Sequence, residues 1–384
     1  MKISRTLDQH IAVFGESGSG KTVLLSSFYG ATQEPEVLRS NPYRVVADNA
    51  TDGTLLHQNY LGMRDSAKRP RQTKFASTAH AFSVKIKSEQ QSRTKFDALR
   101  LIWHDYPGEW FEQDTSSREE AQRRVDTFRS LLASDVAVLL IDGQKLIDNE
   151  GEEERYLKSL FGNIRNGLHR LEDDLLDDGQ KLVTFPRIWM FALSKADLLP
   201  EWDVFRFRDL LIHKVGEEIS DLRSVIADLV ESDEALSVGE DFVLLSSAKF
   251  EPDKITVTER IGVDLMLPIA AMLPFERHLR WAQKRQISSK VLEELLEGVV
   301  SISASMLTAS GWLKKIPKIG KFTERTQQVV NVGARAADAL VGDNLQKRHD
   351  EAVASHDSTA AALTGLRLQL ERGESDRILF KSLI

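Results

Sequence analysis

Gly15-Glu16-Ser17-Gly18-Ser19-Gly20-Lys21-Thr22 stands between two short apolar runs, Ile11–Phe14 and Val23-Leu24-Leu25. The octet reads G-x-x-x-x-G-K-[ST], and its flanks read as a strand before it and a helix after it. Glycines let a backbone wrap an anion, so that successive N–H groups and the helix N-terminus face the negative charge. Lys21 is placed to reach β- and γ-phosphates, and Thr22 to offer its hydroxyl to Mg2+. The stretch from Gly15 to Thr22 therefore predicts a phosphate-binding loop, and with it an α/β fold. It does not choose the base, nor decide between a switch, a motor and a kinase.

Outward from this loop, apolar runs alternate with helical patterns over the first 250 residues or so, the rhythm of a mostly parallel sheet flanked by helices. Strands are expected at Ile11–Phe14, Ala81–Lys87, Ala98–His104, Val136–Asp142, Arg187–Leu193 and Asp241–Ser246, with an additional one at Tyr43–Ala47 and a helical pattern over Leu55–Met63. The segment Gln144–Lys181 is helical and acidic, and its carboxylates read as a solvated face. After about Pro274 helical periodicity takes over in Phe275–Val300, Thr323–Val341 and Asp343–Glu371, and no strand pattern is evident there. The expected organisation is a nucleotide-binding domain over 1–274, with insertions at about 31–79 and 144–181, and a helical C-terminal region over 275–384.

Bulk properties narrow the function classes. Of 384 residues, 41% are hydrophobic and 28% charged, as in ordinary globular chains. A formal net charge of -7 argues against broad electrostatic binding, so no nucleic-acid partner is expected. The absence of cysteine removes disulfides, thiolate catalysis and thiolate-bound zinc, and suits a cytoplasmic protein. No secretory signal is expected from the polar start, and no transmembrane helix, because no apolar run reaches about 18 residues.

Three further words end predicted strands in order: Asp105-Tyr106-Pro107-Gly108, Ser194-Lys195-Ala196-Asp197 and Ser247-Ala248-Lys249. Together with the glycine loop they resemble the TRAFAC class of Ras-like P-loop GTPases over roughly residues 8–250. The run Asp105-Tyr106-Pro107-Gly108-Glu109-Trp110 is similar to the bacterial YcjX-type stress-associated GTPases, as is the long segment that follows the loop. The resemblance implies a Ras-like domain that binds GTP and GDP with Mg2+. It implies Asp105 holding the metal through water and Gly108 sensing the γ-phosphate. It also implies Lys195 packing on the base, Asp197 accepting from guanine N1 and N2, and the Ala248 amide meeting guanine O6. Ser194 departs from the usual Asn or Thr, leaving specificity to the Asp. A switch threonine for Mg2+ is expected at Thr73, with Thr78 as the alternative.

On that resemblance, Lys21, Asp105, Gly108 and Glu109 form the hydrolytic set, and catalysis is positioning and charge neutralisation. Glu109 stands where a water-orienting Gln is usual, and slow turnover in a regulatory switch is the expectation. Arg118, Arg123 and Arg124 are candidates for an arginine acting in cis. A rival ATPase reading takes Asp142 as a Walker B residue, but Gly143 and Gln144 follow it where an acidic residue is wanted. A second rival is a nucleotide-loaded scaffold without turnover. In the C-terminal region, Trp312 to Phe322 carries Lys314, Lys315, Lys318 and Lys321 among apolar residues. Such a segment suits either a packed elbow or a weak peripheral contact with the inner membrane. The C-terminal helices are the expected surface for a protein partner.

Overall fold

The computed structural model describes residues 7–70, 78–87, 97–105, 119, 125–126, 128–129, 132–176, 179–282, 287–288, 290–292, 295, 345–354 and 358–382. Its centre is the strand β1 (Leu7–Phe14). Ile11 and Val13 face one apolar cluster while Ala12 and Phe14 face the other. A strand covered on both faces has no polar side to present, which is why Ile11–Phe14 reads as an unbroken apolar run. The same holds for β5 (Val136–Asp142) and β6 (Ile188–Ser194), buried at every position.

The remaining strands of the sheet are β2 (Tyr43–Ala47), β3 (Thr78–Ile86), β4 (Asp97–Asp105), β7 (Ser237–Leu245) and β10 (Leu379–Phe380). They lie in the order β10-β7-β6-β5-β1-β4-β3-β2. From β7 to β4 the neighbours are parallel, whereas β3, β2 and β10 join antiparallel. β1 lies between β4 on one side and β5 on the other, and the C-terminal end of such a strand is where open α/β sheets form their ligand crevice. The expected α/β architecture with a helical C-terminus is the observed one.

One face of the sheet is covered by α1 (Lys21–Thr32), by α7 (Met266–Trp281) and, across the described C-terminal region, by α9 (Ser358–Ser375). The other is covered by α5 (Glu153–Leu175) and α6 (Val204–Leu229). Preceded by the single-turn α4 (Gly143–Asp148), α5 forms the crossover from β5 to β6. It buries Leu157, Leu160, Phe161, Ile164 and Leu168 at helical spacing and leaves Glu154, Asp173 and Asp174 in solvent. The acidic run is thus the outer face of a core-forming helix.

Between α1 and β3, the short α2 (Pro35–Ser40) and β2 lead to α3 (Ala50–Ser66), whose N-terminus is capped by Asn49 Oδ1 accepting from Thr51 N at 2.9 Å. The helix packs directly on α1. A Cβ at Gly30 would stand 2.1 Å from the Tyr60 ring, so the contact needs a residue without a side chain. β7 begins four residues before the sequence suggests, because Gly239 (φ 70°) sits where its register with β6 shifts between Trp189 and Met190.

α7 runs through Pro274 as one helix. Beyond it, α8 (Leu345–Ala354) leads to α9 and then to β10, a strand the sequence did not suggest. Two residues carry too little pattern to be read locally. β10 is held by tertiary contacts: Leu379 pairs with Val243, and Asp241 in β7 accepts both Arg277 Nη2 at 2.6 Å and Ser382 N at 3.0 Å. No helix among the described residues is long and apolar enough to cross a membrane.

Overpacking a tight helix–helix contact costs about 1–3 kcal/mol, more than the roughly 1 kcal/mol that Gly→Ala returns in helix propensity. Gly30→Ala is therefore expected to lower the urea midpoint with an unchanged slope, measured by circular dichroism. A midpoint at or above that of the wild type would mean that α1 and α3 do not pack as described.

Candidate nucleotide site

The glycine loop is shaped by three local demands. Gly15 follows Phe14 where a Cβ would lie 2.6 Å from Ser19 Oγ and 3.0 Å from Leu140 Cβ. Gly18 (φ 81°) and Gly20 (φ 94°) adopt the left-handed conformation that L side chains resist. The turn closes with Ser19 N donating to Glu16 O at 3.2 Å, and α1 then starts at Lys21. Gly20, at the N-cap, brings no side chain to the first amides of α1. The Lys21 ammonium folds over the loop, donating to Gly15 O at 2.6 Å and Glu16 O at 3.0 Å. Thr22 is the second residue of α1. Ser19 Oγ is buried with no hydrogen-bond partner among the described residues.

Asp105 ends β4 beside this loop, in register with Val13 of β1 and with Thr78 of β3. It is 7% exposed, and its Oδ1 has no partner among the described residues. Burial pushes its carboxyl up to about 6, against the pull of the Lys21 charge. A buried carboxylate oxygen left over at the mouth of a phosphate-type loop is the hard donor that Mg2+ takes. That ion needs only one or two protein ligands beside water and phosphate oxygens. Among the described residues no group of three or more His, Cys, Asp or Glu side chains is placed to hold a metal ion, here or elsewhere.

At the C-terminal ends of β6 and β7 two loops converge. Ser194 Oγ donates to Ile141 O at 3.2 Å, so the hydroxyl in the Asn/Thr position is used up tying β6 to β5. Lys195 adopts φ 54° and donates to Asp142 Oδ2 at 2.7 Å. Asp197 Oδ1 accepts from Ser246 Oγ at 2.6 Å, and Phe250 N approaches Oδ2 at 3.5 Å. Ser246 is pinned by paired backbone bonds with Ile261, both 2.8 Å. Ser247 O accepts from Ser27 Oγ of α1 at 2.6 Å, which ties this loop to the helix that follows the glycine loop. Ala248 is fully buried. Lys249 opens the hairpin of β8 (Lys249–Glu251) and β9 (Lys254–Thr256), its ammonium 3.6 Å from Glu259 and 3.8 Å from Glu251.

The structure therefore brings Gly15 to Thr22 together with Asp105, and Lys195 and Asp197 together with Ser247 and Ala248. Thr73, Gly108 and Glu109 lie outside the described residues, as do Arg118, Arg123, Arg124 and the segment 312–322. For Thr78 only the backbone position at the start of β3 is described. Sequence reading missed Ser27, Ser246 and Phe250, and also Lys145 and Tyr156 behind the glycine loop. The doubled serine at Ser246-Ser247 was the one available signal, since either hydroxyl could serve the neighbouring Asp.

Strand order, glycine loop and paired loops define a P-loop α/β nucleotide-binding fold. The Double-GTPase 2 family profile matches residues 9–233, more than half of the chain, and the chain belongs to that family. Comparison with curated proteins finds no match. Solved structures similar to the chain include the Saccharomyces cerevisiae Ski7 GTPase-like domain bound to GTP, at 15% identity and TM-score 0.30 over 64% of this chain and 45% of that one. This chain thus spans less than half of that structure. The signal recognition particle receptor SRβ–GTP/SRX complex from Chaetomium thermophilum matches at 17% identity and TM-score 0.32, covering 64% of this chain and 93% of that one. A nucleolar GTP-binding protein 1 from Plasmodium falciparum matches at 11% and 0.31, covering 80% and 97%. At these scores the likenesses carry no argument about activity.

Asp105 holds its proton more tightly in the folded chain than in the unfolded one, where it titrates near 3.8. Relative to Asn at this position, the folded wild type carries no penalty below about pH 4 and the full penalty once pH passes about 6. Without nucleotide and in chelator, Asp105→Asn is expected to be more stable than wild type by roughly 1–3 kcal/mol at pH 7. The gap should close on acidification, followed by thermal melts between pH 4 and 7.5. A pH-independent difference would show that Asp105 is not a buried, ionised carboxylate.

Proposed function

We propose that the chain is a TRAFAC-class regulatory switch that binds GTP and GDP with Mg2+ and hydrolyses GTP slowly. The observation that supports this most strongly is that two different loops lie at the C-terminal ends of the parallel strands. A phosphate-type loop follows β1, and an Asp197-centred loop follows β6 and β7. Guanine offers N1–H and N2–H to the Asp197 carboxylate beside its contacts with Ser246 Oγ and Phe250 N, whereas adenine brings no such donors, and a site built to bond a base's N–H groups discriminates against one that lacks them. Ser246 Oγ orients that carboxylate, and Ser27 holds the adjoining Ser247 carbonyl.

In this reading the loop amides and Lys21 bind the phosphates, Thr22 and the switch residue Thr73 would be the ligands of Mg2+, and Asp105 would hold the ion through water. When bound, the ion neutralises charge on the β- and γ-phosphates. Gly108 senses the γ-phosphate, and Glu109 replaces a neutral water-orienting side chain with a carboxylate, the reason slow turnover is proposed. The proposed kinship with YcjX-type GTPases rests on the Asp105–Trp110 run and on the long segment between the glycine loop and the switch residue. The helices of 275–384 are proposed as the surface for a protein partner.

The ATPase rival would assign Asp142 to the metal. Its carboxylate instead accepts Gln144 N at 2.9 Å, capping α4, and Lys195 Nζ at 2.7 Å. That favours the guanine reading.

Lys21→Ala is expected to abolish binding of Mg2+-GTP in a chain that still folds, as checked by calorimetry beside circular dichroism. Asp197→Asn is expected to lose GTP by about 100-fold or more and to gain xanthosine triphosphate, whose extra carbonyl suits an amide donor. Normal GTP affinity in either folded variant would overturn the assignment.

A further inference from the structure

Glu16 places a carboxylate at the second position of a loop whose other task, on the reading above, is to hold phosphates. Its Oε2 lies 2.7 Å from Lys145 Nζ, with the glutamate side chain 15% exposed and the lysine 38%. Lys145 stands in α4, far along the chain, and its ammonium also lies over the Tyr156 ring, 5.6 Å from the centroid. Tyr156 is buried in α5. Its hydroxyl accepts from Asp142 N at 3.1 Å, and burial, with the Glu16 and Asp142 carboxylates nearby, raises its proton affinity. Asp142 in turn holds Lys195 of the base-type loop. One continuous chain of contacts thus runs Glu16–Lys145–Tyr156–Asp142–Lys195, joining the glycine loop to the base-type loop through three residues that lie outside both motifs.

We infer that Lys145 is a positioning residue for nucleotide binding: it neutralises Glu16 so that the glycine loop can accept a polyanion, and with Tyr156 it ties that loop to the base-recognition loop. The inference rests on the reading of the glycine loop as a nucleotide phosphate site. Lys21 cannot serve both purposes. Its ammonium is committed to the front of the loop, on the Gly15 and Glu16 carbonyls, while the Glu16 side chain points back to α4 and α5. Removing Lys145 alone leaves a largely buried carboxylate without its cation in the glycine loop itself. Repulsion from it grows with the charge of the ligand and is screened by salt, whereas a purely mechanical brace would respond to neither.

The test is calorimetric titration of the full chain with GMP, GDP and GTP, Mg2+ present, at low and high salt. The variants are Lys145→Met, Lys145→Arg, Glu16→Gln with Lys145→Met, and Lys21→Ala. Lys145→Met is expected to weaken GTP by about tenfold, GDP less and GMP least, the size of one partly exposed charge interaction. The loss should shrink at high salt, Lys145→Arg should bind like wild type, and the double variant should recover GTP affinity to within about threefold. Unchanged GTP affinity in Lys145→Met would overturn the inference. So would an equal loss for all three nucleotides that Glu16→Gln does not repair. Wild type and Lys21→Ala binding alike would instead overturn the underlying site reading, and the inference with it. A Lys21→Ala variant that fails to bind beside an unaffected Lys145→Met would sink the inference alone.

Discussion

A strand buried on both faces must end by turning its backbone out of the core, and the residues after β1 do so in a glycine loop that leads straight into α1. That constraint organises the molecule. Apolar side chains at Ile11–Phe14 hold the strand between two core layers, and the left-handed Gly18 and Gly20 let the chain reverse into α1. The result is a cluster of donors and a helix N-terminus at the point where the sheet order turns, with the field of α1 favouring negative charge there. Side chains from α3, α4 and the β6 and β7 loops are arranged around this one feature.

Three buried carboxylates show how differently one chain handles the same desolvation problem. Asp241 is matched by Arg277 and the Ser382 amide, and its work is to fasten the C-terminal strand to β7. Asp142 caps α4 and receives Lys195. Burial raises the proton affinity of Asp241 and of Asp105 alike, but of the three Asp105 alone has an oxygen left over among the described residues. The first two carboxylates are satisfied within the fold. The third fits a group that brings its own positive charge, and the stability forgone there is the usual signature of a site kept for binding.

What could be read from the chain follows the range of the forces involved. Val136–Asp142 and Tyr43–Ala47 were legible to the residue. Continuous burial and strict alternation are local patterns, and each has its own periodicity. The first four residues of β1 and of β7 were not, since Leu7–His10 is largely polar and Gly239 interrupts the β7 register. β10 is held by contacts from distant positions, among them Arg277 with Asp241 and Phe380 against Phe242, information that is absent from residues 379–380. In the candidate site, the glycine loop was legible because its geometry is set within eight residues. Ser246 acting on Asp197 and Lys145 acting on Glu16 were not, because they join positions 49 and 129 residues apart.

The central claim is that the crevice beyond β1 takes a guanine nucleotide through its phosphates and its base together. Calorimetric titration of the wild-type chain with GDP and with ADP, each with Mg2+ and again in chelator, tests it most directly. The account predicts tight GDP binding that weakens in chelator, and ADP binding weaker by about 100-fold or more. Equal affinity for the two nucleotides, or no binding of either, would contradict it.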